Sequence, residues 1–169
     1  MAKHKVFISH YHADDDEVKK FIDYFCEEKD IFTPKVVGDD YDTTINSNDS
    51  DYIMRRIRED YLADSTVTIV LIGKETAKRK YVDWEIASTI RNDKNNKRSG
   101  LIGIYLDGKS DSNIPSRLQD NINTGYANVY SYPLYNPSTL ERWIDDAYER
   151  RNDDSYVVDN TRPLFQRNR

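Results

Sequence analysis

The chain has 169 residues, a length that fits one domain, and it carries 25 Lys and Arg against 30 Asp and Glu, for a net charge of −5. That balance excludes a protein that coats nucleic acid, because such binding rests on surplus positive charge. Cys26 is the only cysteine, which excludes an internal disulfide and a cysteine-based zinc cluster, and with three histidines (His4, His10 and His12) no metal site is expected.

In chain order, the first apolar run is Val6–Ser9, followed by helical spacing of Val18, Phe21, Ile22 and Phe25. Asp14 and Glu17 stand three apart before it, which predicts a capping box. A short strand is expected over Pro34–Val37. A second helix begins near Ser50 or Asp51 and carries Ile53, Ile57 and Tyr61. Thr66–Gly73 is a nearly continuous β-branched run, the pattern of a strand buried on both faces. A third helix starts near Lys80 and carries Trp84, Ile86, Ala87 and Ile90. Leu101–Leu106 is the next strand. Asp107–Gly125, with Gly108, Pro115 and clustered Asn, Asp and Ser, reads as loop with one helical turn at most. Ala127–Tyr130 is the last strand. A final helix follows the Pro137-Ser138 start signal, with Leu140, Trp143, Ile144, Ala147 and Tyr148 on one stripe.

Strands alternating with helices predict an α/β fold: a flavodoxin-like open parallel sheet of five strands, order 2-1-3-4-5, with helices on both faces. The domain is expected over 1–152. The 153–169 tail is docked or flexible, with Val157, Val158, Leu164 and Phe165 as docking points. The N-terminal MAKHKVF lacks a leader's apolar stretch, and no run approaches the ~18 residues of a membrane span, so a cytoplasmic protein without membrane contact is expected.

In such a sheet, ligands bind beyond the carboxyl ends of the strands where the strand order reverses. Ser9–Ala13, Gly73–Lys80 and the start of the third helix arrive there. Gly73-Lys74 is not a phosphate loop: Thr68 stands where the Walker pattern has its first glycine, and Glu75 follows the lysine. Asp14, Asp15 and Asp16 resemble a receiver acidic cluster, but strand 3 ends in Ile72-Gly73-Lys74 with no aspartate to phosphorylate; they are expected to cap the first helix. Cys26 reads as core, and His10 and His12 as walls of the cleft. Lys78–Ile90 places Glu85 four residues after Tyr81, on one helix face, with Trp84 about 100° away from Glu85.

Val6-Phe7-Ile8-Ser9 followed by Asp14 resembles the first box of TIR domains. Lys78 to Glu85 is similar to their S-x-x-W-C-x-x-E motif, with Tyr81 at the Trp position, Val82 at the Cys position and Glu85 at the Glu. Over about residues 4–150 the order and spacing of these segments resemble the TIR-like group of bacterial Thoeris anti-phage defence. That resemblance implies cleavage of the nicotinamide–ribose bond of NAD, which is substrate and not cofactor, with no other cofactor required. It also implies an ADP-ribose-derived product, cyclic in the simplest form, that activates a nucleotide-sensing effector. Glu85 would be catalytic. Ser9, His10, Tyr11, Lys74, Tyr81 and Trp84 would bind substrate, with Lys78, Arg79 and Lys80 extending the basic run at the helix start. The acidic Gly38–Ser50 connection is assigned to gating, to homo-oligomer contact or to solvent. Two other readings stand beside this one: a non-catalytic TIR-like interaction module, and a nucleoside or deoxyribosyl transferase using the same glutamate.

Overall fold

Five strands, β1 (Lys5–Ser9), β2 (Thr33–Val36), β3 (Val67–Ile72), β4 (Gly100–Tyr105) and β5 (Ala127–Tyr130), pair in the order β2-β1-β3-β4-β5, all parallel. This is the flavodoxin-like arrangement expected from the alternation of strands and helices. The computed structural model describes residues 3–36, 49–92 and 96–169. The expected gating or assembly connection falls largely on 37–48 and so lies outside the described residues.

β3 lies centrally and all six of its residues are buried, which is why its sequence shows no polar alternation. The period-two alternation of β1 instead divides its side chains between two cores. Val6 and Ile8 pack on one face with α1 (Asp15–Ile22), which continues through wider π-type turns over Asp23–Glu28. Phe7 and Ser9 face the other side. There Phe7 joins Ile53 and Ile57 of α2 (Ser50–Asp60) and Trp84 and Ala87 of α3 (Lys80–Ile90). α4 (Ser116–Asn123) packs on that same side through Leu118, beside Val70 and Ile72. α5 (Pro137–Arg151) covers the first face through Leu140, Ile144 and Ala147. Gly100 admits this helix closely, because a Cβ there would sit 2.5 Å from the Ala147 carbonyl oxygen.

Three expectations are corrected. Asp107–Gly125 is not all loop, since α4 spans eight residues within it. Its inward face holds Arg117 and Asn121 beside Leu118, and the helical spacing of Ile114, Leu118 and Ile122 is broken by Pro115 and surrounded by Asn, Asp and Ser, so the stretch reads as loop. The Asp14–Glu17 capping box is not made: Asp14 stands at the cap position of α1 without a side-chain cap bond. Asp15, Asp16 and Glu17 still place negative charge in the first turn. Of the four docking points in the tail, Leu164 and Phe165 are buried and Val158 packs on the core, whereas Val157 is exposed. Among the described residues no helix is long and apolar enough to cross a membrane.

Candidate functional site

The chain leaves β1 toward β2 on one side and reaches β3 on the other, so the strand order reverses between β1 and β3. Ser9 is the last residue of β1, and α3 begins shortly beyond β3. These elements bring the Ser9 hydroxyl to the Glu85 carboxylate, where it donates a hydrogen bond to Oε1 at 2.7 Å. Ser9 is fully buried and Glu85 is 5% exposed. A carboxylate removed from water in this way needs donors aimed at it, and Ser9 supplies one.

α3 explains how a glutamate comes to be buried. Val82 to Ile90 are all buried, so the helix is enclosed on every side although Asp83, Glu85, Ser88 and Thr89 are polar. Its polar groups are each matched. The Thr89 hydroxyl donates to the Glu85 carbonyl at 2.8 Å and accepts from Thr68 of β3 at 2.9 Å, which ties the second half of the helix to the sheet.

Both loops that approach this edge contribute aromatic and basic side chains. Tyr11, after β1, lies under the Arg79 guanidinium, 4.1 Å from the ring centroid, so the β1–α1 loop and the start of α3 meet through a cation–π contact. Tyr81 meets Trp84 edge to face at 5.5 Å, and the Lys80 ammonium lies over both rings. Trp84 is buried, with its indole N–H donating to the Phe165 carbonyl at 2.9 Å. His10 is turned to Asp15, Nε2 to Oδ1 2.7 Å. Lys74 is exposed on a turn closed by the Gly73 N–H donating to Thr76 Oγ1 at 2.8 Å. Lys78 pairs with Glu75 at the surface. Burial pushes the Cys26 thiol up to about 12, the behaviour of a core cysteine.

Asp14 sits on the same edge. Its carboxylate occupies the space over Gly73 that any Cβ would claim, and its Oδ2 is buried without a hydrogen-bond partner. Burial first, and Glu17 second, raise its pKa above the usual carboxylate value. Among the described residues no cluster of three or more His, Cys, Asp or Glu side chains could hold a metal ion.

The segment holding Ser9, Tyr11, Lys74, Tyr81 and Glu85 matches a family model described as the Thoeris protein ThsB, TIR-like domain, over residues 7–111. The chain belongs to this family. Among curated proteins no match was found.

Around this TIR-like domain lies a structure the motifs do not reveal. The 153–169 segment forms a strap across α4 and α3, outside the matched residues. Its clamp is a buried ion pair. Arg117 Nε donates to Asp83 Oδ1 at 2.9 Å and Nη2 to Oδ2 at 3.2 Å, the side chains being 1% and 4% exposed. Arg117 also donates to Asn160 Oδ1 and the Pro163 carbonyl, while the Phe165 N–H donates to Asp83 Oδ2. The sequence signal available was the buried-looking Leu164-Phe165 pair; nothing local linked Asp83 to a residue 34 positions away.

A groove of about 600 Å³ opens on the opposite face, beside α1. Four carboxylates (Glu17, Asp23, Glu28 and Asp107) line it against one lysine, Lys20. That lining makes the groove strongly acidic.

Proposed function

We propose that this TIR-like domain cleaves the nicotinamide–ribose bond of NAD and passes the ADP-ribosyl group on to form a signalling nucleotide, read by an effector in anti-phage defence. The observation that carries this reading is the carboxylate of Glu85, buried at the strand-order reversal with the Ser9 hydroxyl donating to it. A scaffold needs no such group there.

The chemistry matches a single positioned carboxylate. The C1′–N bond breaks with its electron pair going to the nicotinamide ring, which leaves neutral, so no acid is needed to protonate it. Positive charge then develops on the ribose, as in glycoside cleavage. Glu85 stabilises that charge, strongly because the site is shielded from water. Water or a nucleophile of the same ADP-ribosyl group then bonds to C1′ and loses a proton. Tyr81 and Tyr11 offer ring faces for the bases. Arg79 and Lys74 supply positive potential for the diphosphate. The Lys80 N–H, at the helix start, is already taken by Asn168 Oδ1 at 2.8 Å, so the side chains have the larger part in that binding.

The test is mass spectrometry of small molecules after the protein is incubated with NAD, with and without lysate from phage-infected cells, with nucleosides offered in parallel. Nicotinamide and an ADP-ribose-derived product are expected. Glu85→Gln keeps the shape, removes the charge and should lower the rate by about 10²–10³-fold. Parent-like turnover by folded Glu85→Gln removes Glu85 from the mechanism. Cleavage of nucleosides with NAD untouched makes the domain a nucleoside transferase.

A further inference from the structure

α3 begins without a cap of its own. Arg79 stands at the cap position, where Ser, Thr, Asp or Asn would accept from the first turn, and it makes no side-chain cap bond. The strap provides what is missing. Asn168 Oδ1 accepts from the Lys80 N–H at 2.8 Å, and the Arg169 N–H donates to the Lys78 carbonyl at 2.8 Å, a pair of bonds bracketing the helix start.

The rest of the strap grips the back of the same helix. Residues two positions apart on a helix are separated by about 200°, so Asp83 and Ala87 both lie opposite Glu85. Both hold the strap: Asp83 accepts from the Phe165 N–H at 2.9 Å, and the Ala87 carbonyl accepts from Asn160 Nδ2 at 3.1 Å. On its front the helix meets the sheet through Glu85 and Ser9. By helix geometry the Glu85 N–H reaches back to the Tyr81 carbonyl, in the turn that Asn168 caps. Fraying of that turn loosens the backbone carrying the carboxylate.

We propose that Asn168 is a positioning residue for Glu85, and that the strap is a working part of the site supplied from outside the matched family segment. The inference rests on the NAD-cleaving reading of Glu85. Asn168 touches no reacting atom; it holds the first turn of α3 so that Glu85 remains on Ser9. Displacements near 1 Å at a reacting group cost on the order of 10²-fold in rate, so a modest loosening is visible in turnover. Most of the strap's grip lies earlier, at Asp83, Trp84 and Arg117, so losing Asn168 should leave the strap docked.

The experiment compares Asn168→Ala with Asn168→Asp, which restores an acceptor at the helix start. Two readouts need no catalysis: amide hydrogen exchange over Lys80–Glu85, and the ¹³C chemical shift of the Glu85 carboxyl. The third is steady-state NAD cleavage. Asn168→Ala should exchange about five- to tenfold faster over that turn and shift the Glu85 carboxyl signal. Its kcat should fall about tenfold with KM unchanged, the mark of an interaction lost in the transition state. Its melting temperature should fall by no more than about 2–4 °C. Asn168→Asp should restore all of these. Unchanged exchange and carboxyl shift in Asn168→Ala overturn the proposal, as does parent-like kcat once the turn is shown to fray. If the parent releases no nicotinamide under any condition, the catalytic reading fails by itself, while exchange and carboxyl shift still decide whether Asn168 holds Glu85 in place.

Discussion

Arg117→Met isolates the strap clamp. Methionine keeps most of the side-chain length and bulk, so little cavity is left, but four donor contacts disappear: two to Asp83, one to Asn160 and one to the Pro163 carbonyl. Asp83, 4% exposed, then keeps the Phe165 N–H as the bond still facing it. Removing one partner of a buried pair costs about 3–5 kcal/mol, mostly from the charge left behind. For a chain of this size each kcal/mol moves the melting temperature by about 2–4 °C, so a fall of roughly 6–20 °C is expected. The assay is thermal and urea unfolding followed by circular dichroism, with Trp84 fluorescence read in a Trp143→Phe background. Trp84 lies under the strap through its bond to Phe165, so its emission reports strap release directly. Adding Asp83→Asn to Arg117→Met removes the stranded charge and should recover part of the loss. A melting point within about 2 °C of the parent for Arg117→Met, or no recovery in the double variant, refutes the argument that this pair is buried and binds the strap.

Asp14→Asn should raise the melting temperature at pH 7, since it removes a charge that burial disfavours. Because the pKa of Asp14 is raised in the fold, its contribution is most favourable when protonated and is lost as pH rises, so the melting-point advantage of Asp14→Asn should shrink from pH 7 toward pH 4; a constant gap counts against it. Trp84→Ala should lower stability by about 3–5 kcal/mol through lost burial and the lost bond to Phe165, whereas Tyr81→Ala should mainly reduce nicotinamide release. Melting curves beside the NAD assay separate the two, and the reverse pattern places Trp84 in the cleft.

The order of strands and helices was legible because each strand has its own apolar run and nearly every helix its own stripe, and parallel strands joined by helices leave few arrangements open. α4 was hidden for a physical reason: its apolar stripe is short (Ile114, Leu118 and Ile122) and set among turn-forming residues. Beside it Arg117 and Asn121 turn inward to Asp83 and the backbone of Asp159, so half of its buried face is charge and amide. Glu85 stood out chiefly through its match to the glutamate of the TIR motif, supported by its spacing from Tyr81 and its place near the start of a helix at the strand-order reversal. That its partner is Ser9 followed only from the sheet, which closes a gap of 76 residues by setting β1 beside β3. The same holds for the strap. Leu164 and Phe165 announced that the tail had something to bury, but a buried carboxylate at Asp83 is tolerable only where Arg117 and the Phe165 N–H converge on it, and that convergence exists only once α3, α4 and the tail have packed.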